Sequence, residues 1–228
     1  MNLNGPDPHT LCDVDIVGVA VKGSLLRDGG LQTHIALIYK YGGEPVSLVH
    51  FGGHKRFMVH EPSSEDQYYW LDLGEYFSAM DKEIISAHIR KVVENNSEDS
   101  ISYGFDSSGE YFNPETGKFM PTSKAVGLTC STFVLEVFSS CAYPLIDLLS
   151  WPSRLKEDIK WQERTLSKLM RIDGVNQELL VRQTKNVGNR RFLPEEVFVS
   201  TQEDVLPTVR GKVKEKAKIV RKHIKSNL

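Results

Sequence analysis

An α+β fold with a small antiparallel sheet packed on helices is what the sequence predicts, on three observations. Strand-like alternation is confined to the residues before 62, and helical periodicity takes over after 78. Nowhere does strand alternate with helix as a parallel sheet would need.

The elements follow in order. Asp13–Val21, D-V-D-I-V-G-V-A-V, is β-branched and alternating, the pattern of a first strand. Lys22–Gln32 carries Gly23, Gly29 and Gly30 and reads as a loop. Thr33–Lys40 is a second strand, Tyr41-Gly42-Gly43-Glu44-Pro45 a turn, and Val46–Phe51 a third strand ended by Gly52-Gly53. A fourth extended piece covers Arg56–His60, and Pro62–Gly74 reads as a loop anchored by Tyr68, Tyr69 and Trp70. Ser78 and Asp81 form a capping-box pattern opening a helix to about Asn95, with Ile84, Ile85, Ile89, Val92 and Val93 as its stripe. Asn96–Lys124 is the longest irregular region, and its Tyr103, Phe105, Tyr111, Phe112 and Phe119 either line a groove or pack the loop itself. Thr129 is placed to cap a helix whose first turn holds Cys130, with Phe133, Val134, Val137 and Phe138 on one face. Beyond the connector Pro144–Trp151, a helix opens near Pro152 with Leu155, Ile159, Leu166 and Leu169 on one face and ends near Gly174. A shorter helix covers Asn176–Thr184, and Arg191–Val197 looks extended before a turn. The last helix carries a narrow stripe, Val213, Ala217, Val220 and Ile224, expected to leave it largely exposed.

The expected organisation is an N-terminal segment 1–12, one domain 13–208, and a basic amphipathic tail helix 209–228. The 228 residues suffice for one such domain, and 40% hydrophobic with 25% charged residues is an ordinary globular composition. Charge is unevenly placed. From Arg210 onward eight Lys/Arg face Glu215 alone, a local +7 that leaves −9 on the rest of the chain. The tail therefore suggests an acidic partner, whether anionic lipid, nucleic acid or protein. No run approaches a membrane span, and Met1–His9 lacks the basic and apolar segments of a signal peptide. A cytoplasmic location, or export by a signal-peptide-independent route, is the expectation. Cys12, Cys130 and Cys141 are odd in number and unpaired in spacing, so neither disulfides nor a zinc site is indicated, and no cofactor or metal is expected.

Two constellations carry chemistry. A cysteine in the first helical turn meets unpaired N–H groups and the positive dipole end, which favour thiolate and predict a depressed pKa, the other reading being a small apolar cysteine buried at a helix start. The hairpin brings a pair of histidines together. For a turn centred on Gly42, partner numbers sum to 84, which sets His34 directly opposite His50 on one face, whereas a turn centred between Gly42 and Gly43 slips the register by one and misaligns them. His54, His60 and His88 have no such partner in the pattern and read as surface or supporting residues.

The histidine opening a strand (T-H-I-A-L-I-Y), the polar residue on the next strand (S-L-V-H-F) and the later cysteine opening a helix (L-T-C-S-T-F-V) stand in a particular order. That order resembles the circularly permuted papain-like thiol enzymes of the NlpC superfamily, which include the lecithin–retinol acyltransferase-like proteins. The resemblance spans roughly residues 13–200 and rests on three short segments. It implies Cys130 as nucleophile, His34 as base and His50 as the residue orienting that base. A thiolate would attack a carbonyl carbon, and imidazolium would protonate the leaving group. S-T-F-V lacks the acidic residue and histidine that follow the cysteine in the lipid acyltransferases, and the hairpin loop is longer. Hydrolysis of an amide, thioester or ester is therefore the first expectation and lipid acyl transfer the second. A non-catalytic binding module on the same scaffold is the alternative from another class.

Overall fold

A computed structural model describes residues 3–26, 29–106, 110–121 and 127–228. Residues 107–109 and 122–126 of the long irregular region, and 27–28 of the first loop, lie outside the described residues. The chain is α+β, with a five-stranded antiparallel sheet in the order β4-β3-β2-β1-β5. The strands are β1 Val17–Leu25, β2 Leu31–Tyr39, β3 Ser47–Phe51, β4 Phe57–His60 and β5 Tyr69–Asp72. The helices are α1 Ala79–Glu94, α2 Cys130–Ser140, α3 Lys156–Leu169, α4 Gln177–Lys185, α5 Pro194–Ser200 and α6 Arg210–Ser226. None of these helices is long and apolar enough to cross a membrane.

Both faces of the sheet are covered. Val17, Val19, Val21, Ile35, Leu37, Val49 and Phe51 project into the main core, where they meet α1, α2, α5 and α6. The alternate residues Ala20, Ala36, Ile38, Leu48 and Trp70 cluster on the other face with Leu11, Val14, Val46 and Tyr68. Burial on both faces explains why V-G-V-A-V and I-A-L-I are almost continuously apolar. The 3-10 turn Pro8–Asp13, capped by Asp7, seals the second face with Leu11 and joins the N-terminal segment to the domain.

Four features depart from the sequence expectation. Strands β1 and β2 run on to Leu25 and back to Leu31, so little of Lys22–Gln32 is loop. Within the expected loop Pro62–Gly74, Tyr69–Asp72 forms β5 and pairs with β1. Helix α3 starts at Lys156, not near Pro152. The segment from Pro194 is helical, and α5 is buried at all seven positions, so it has no exposed face from which a period could be read.

The tail helix is docked into the core. Val213, Ala217, Val220 and Ile224 are all buried, α6 packs along α5, and its other faces stay in solvent. Its cations meet acidic groups of the body: Arg210 with Glu196 (2.9 Å), Lys216 with Glu203 (2.5 Å) and Arg221 with Glu195 (2.7 Å). At the far end His223 lies edge-on to Tyr69.

Helices α3 and α4 form a lobe with its own small cluster, Leu166, Leu169 and Leu180, closed by Phe105. Two buried glutamines tie this lobe to the body. Gln183 Oε1 accepts from the Phe105 N–H (2.6 Å). Gln162 Oε1 accepts from the Gly188 N–H (2.7 Å), while its Nε2 donates to the Asn189 carbonyl (3.1 Å).

Candidate active site

Cys130 owes its place to the backbone before it. The chain arrives through Gly127 and Leu128, bridged in parallel to Tyr103: the Leu128 N–H donates to Ser102 and the Gly104 N–H to Leu128. A Cβ on Gly127 would stand 2.6 Å from the Gly104 nitrogen, so only glycine fits that crossing. Thr129 then caps α2 as its position predicts. Its hydroxyl accepts from the Thr132 N–H, and the Thr132 hydroxyl accepts from the Thr129 N–H (2.7 Å). Cys130 is thereby the first residue of the helix, where unpaired N–H groups collect.

The β2–β3 ladder ends at Leu37–Val49, although both strands run further. At this opened end the sulfur meets the backbone N–H of Ile35 and both the hydroxyl and the N–H of Ser131, all of which favour thiolate. Burial outweighs them and pushes the Cys130 thiol up. The depressed thiol expected of a helix start is thus reversed, because desolvation exceeds what these donors and the more distant Arg191 return.

The histidine pair is present in a different register. Partner numbers across β2 and β3 sum to 86, as in Ile38–Leu48, so the hairpin is centred on Gly43. His34 and His50 are diagonal neighbours and not direct partners, but a shift of two preserves the face. The rings meet edge-on with centroids 5.0 Å apart, and His34 Nε2 lies 3.0 Å from His50 Nδ1. Burial, the neighbouring His50 and Lys22 lower His34 to about 3. Burial, His60 and Lys22 lower His50 to about 4, against an opposing pull from Asp66. Both imidazoles are therefore neutral near pH 7. The site at rest holds a thiol and a neutral base.

The other histidines do have partners. His60 Nε2 bonds Asp66 (3.1 Å) and its ring stands edge-on to His50 at 5.6 Å, extending the row His34–His50–His60–Asp66. Asp66, 5% exposed, also accepts from the Ser63 N–H and hydroxyl, and these bonds hold its carboxyl below the usual range despite burial. His54 Nδ1 accepts from the Tyr103 N–H (3.3 Å), and His88 bonds Ser140 (2.7 Å) between α1 and α2. Tyr68 is fully buried with its ring 6.3 Å from His34, and its hydroxyl has no partner among the described residues.

Cys130 and His34 line one cavity of about 80 Å³, together with Gln32, Thr33, Tyr103, Trp161 and Arg191. His50 stands behind His34 and faces a separate depression with Lys22, His60 and Asp66. The long loop's aromatics divide between the two expected roles. Tyr103 and Phe105 line the cavity, while Tyr111, Phe112 and Phe119 pack in the core. Trp161 and Arg191 come from α3 and from the irregular segment between α4 and α5, and neither was among the candidates read from sequence. Among the described residues, no cluster of three or more His, Cys, Asp or Glu has the arrangement of a metal site. No family model, curated protein sequence or solved structure matches this chain.

Proposed function

We propose that this chain is a thiol hydrolase acting on an amide, thioester or ester through an acyl-thioenzyme, on a permuted papain-like arrangement. The observation that carries the reading is the shared cavity of Cys130 and His34, with His34 held from behind by His50 at 3.0 Å. Because Nε2 of His34 is engaged by His50, Nδ1 is the nitrogen left for the thiol. With Nδ1 as acceptor, the proton of His34 sits on Nε2 and is donated to His50 Nδ1.

The thiol and imidazole start neutral, so the chemistry is general-base attack and not reaction of a preformed thiolate. As Cys130 Sγ bonds to the carbonyl carbon, its proton passes to His34. The imidazolium then gives that proton to the leaving nitrogen, sulfur or oxygen as its bond to carbon breaks. Water, deprotonated by the same imidazole, hydrolyses the thioester and restores the thiol. The Cys130 N–H at the start of α2 supplies one donor to the developing oxyanion.

An activated acyl ester such as p-nitrophenyl acetate tests this. The wild type should release a burst of p-nitrophenol and gain one acetyl group on Cys130 by mass spectrometry. Cys130→Ser and His34→Ala should each abolish the burst while remaining folded. Acylation spread over Cys12 and Cys130 alike would reduce the scaffold to a binding module. Transfer to an added lipid alcohol in preference to water would make it an acyltransferase.

A further inference from the structure

The helical lobe delivers a cation to the cavity that the hydrolytic chemistry does not use. Arg191 lines the same cavity as Cys130 and His34, with 21% of its side chain exposed. Its position is fixed on three sides. Gln162 pins Gly188 and Asn189 upstream, and buried Phe192 and Pro194 follow. The guanidinium also lies 4.0 Å over the Trp161 ring. Stacking of this kind holds the guanidinium plane and leaves its edge donors for a ligand.

Those donors are poorly matched within the protein. A guanidinium has five N–H groups. Among the described residues, the hydrogen bond to Asp158 takes one Nη1 N–H at 3.4 Å, a long contact with no second bond beside it. Asp106, the carboxylate lining the cavity, is turned to the Asn186 amide (2.7 Å) and the Gly127 N–H (3.2 Å). A larger groove of about 780 Å³ adjoins the cavity and shares Tyr103, Trp161 and Arg191 with it. Its wall on and beyond α3 adds Lys168 and Arg171, and among the described residues no Asp or Glu lines it. Among the described residues, the charged side chains Lys168, Arg171 and Arg191 on this approach to Cys130 are all cationic.

We infer that Arg191 binds a carboxylate of the substrate, carried a few bonds from the carbonyl that Cys130 attacks. This rests on the thiol-hydrolase reading and narrows it to acyl compounds with a free carboxylate near the scissile bond. A carboxylate there takes up the guanidinium donors that the single long contact to Asp158 leaves unused, in a site held largely out of water.

Paired alkylating reagents that differ only in charge test it without knowledge of the natural substrate. Iodoacetate is compared with iodoacetamide, and N-iodoacetylglycine with its amide, at pH 9, with each cysteine followed by mass spectrometry. Exposed Cys12 gives the intrinsic anion-to-neutral ratio. In at least one pair the ratio at Cys130 should exceed that at Cys12 by about tenfold, the worth of one charge-assisted contact. Arg191→Gln should bring it level with Cys12, and Arg191→Lys should retain part of it. Equal ratios at the two cysteines in both pairs would overturn the inference. So would a preference that survives Arg191→Gln, or a variant that slows both reagents together, which is what a residue serving only the thiolate would do. Should Arg191→Gln fail to fold, chloride decides on the wild type: the preference must fall as salt rises. The p-nitrophenyl acetate burst reads the hydrolase chemistry separately, so a chain with anion preference and no burst keeps this inference and loses that function.

Discussion

Arg221 donates to Glu195 at 2.7 Å, and the second oxygen of Glu195 accepts from the hydroxyl of Thr33, the residue before His34. The last helix is thus two hydrogen bonds from the candidate base. Glu195 is 1% exposed, so removing its cation strands a buried carboxylate. Arg221→Ala should lower unfolding stability by about 2–3 kcal/mol, less than for a fully buried pair because the arginine side chain is 38% exposed. Urea melts measure this. Deleting residues 209–228 should cost more, since it also uncovers the apolar stripe and frees Glu196 and Glu203. A truncated chain that melts with the wild type would mean that these contacts contribute nothing.

The histidine pair makes stability depend on pH in a defined window. Unfolded histidine titrates near 6.5, whereas folded His34 and His50 are held to about 3 and 4. Between those values the unfolded chain binds protons that the native chain refuses, so acid favours unfolding. Stability should fall as pH drops below 6.5, by up to about 1.4 kcal/mol per pH unit for each histidine, and that loss should level off below the folded values. His34→Gln should remove about one proton from the slope measured between pH 6 and 4.5. An unchanged slope would mean that His34 is protonated in the native protein.

Thiol reactivity should run against the sequence expectation. A helix start beside a histidine implied fast alkylation of Cys130 near pH 6. With the thiol raised by burial and the imidazole neutral, iodoacetamide should label Cys130 more slowly than exposed Cys12 at pH 6, with the gap narrowing as pH rises. Cys141, pushed up to about 12 by burial, should label slowest. Cys130 labelling faster than Cys12 at pH 6 would show that the site rests as an ion pair.

Gly127 sets the path into Cys130. A methyl group there meets the Gly104 nitrogen and the Tyr103 carbonyl carbon at 2.6 Å, both backbone atoms unable to rotate aside. Gly127→Ala should cost about 1–3 kcal/mol and reduce the acylation burst far more than it reduces the folded fraction. A variant with normal burst and normal melt would show that the crossing has slack.

What could be read in advance followed from local periodicity, and what could not followed from burial. Ser78 and Thr129 cap their helices as their spacing indicates, because capping needs only three neighbouring residues. The His34–His50 pairing survived a wrong register because the strand period is two, so an error of two residues keeps the face. Tyr69–Asp72 is only four residues and pairs with β1 across a long separation, so nothing local marks it as a strand. Whether the helix start or burial wins at Cys130 could not be decided from the sequence, since desolvation depends on the lobe and loops that close over the thiol. Arg191 is held at the cavity by contacts with residues some thirty positions earlier, Gln162 to its own segment and Trp161 to its guanidinium, which no local pattern reveals.

The row behind the base gives the last prediction. Asp66 bonds His60, and its negative charge raises the proton affinity of His50 against burial. His50 in turn accepts the hydrogen bond that places the proton of His34 on Nε2 in the mechanism proposed above. A weaker acceptor at His50 makes His34 a weaker base toward the thiol. Asp66→Asn keeps the shape of the side chain and removes its charge. It should lower kcat for an acyl ester by about three- to tenfold with KM unchanged, because neither Asp66 nor His60 lines the Cys130 cavity. Asp66→Glu should recover part of the loss, which a purely structural defect would not allow. His60→Gln should not reproduce the loss, since His60 itself lowers His50 and its removal leaves the Asp66 carboxylate in place. If Asp66→Asn leaves kcat intact, or raises KM alone, the row ends at His50 and the Asp66–His60 pair serves only to anchor the loop before β5.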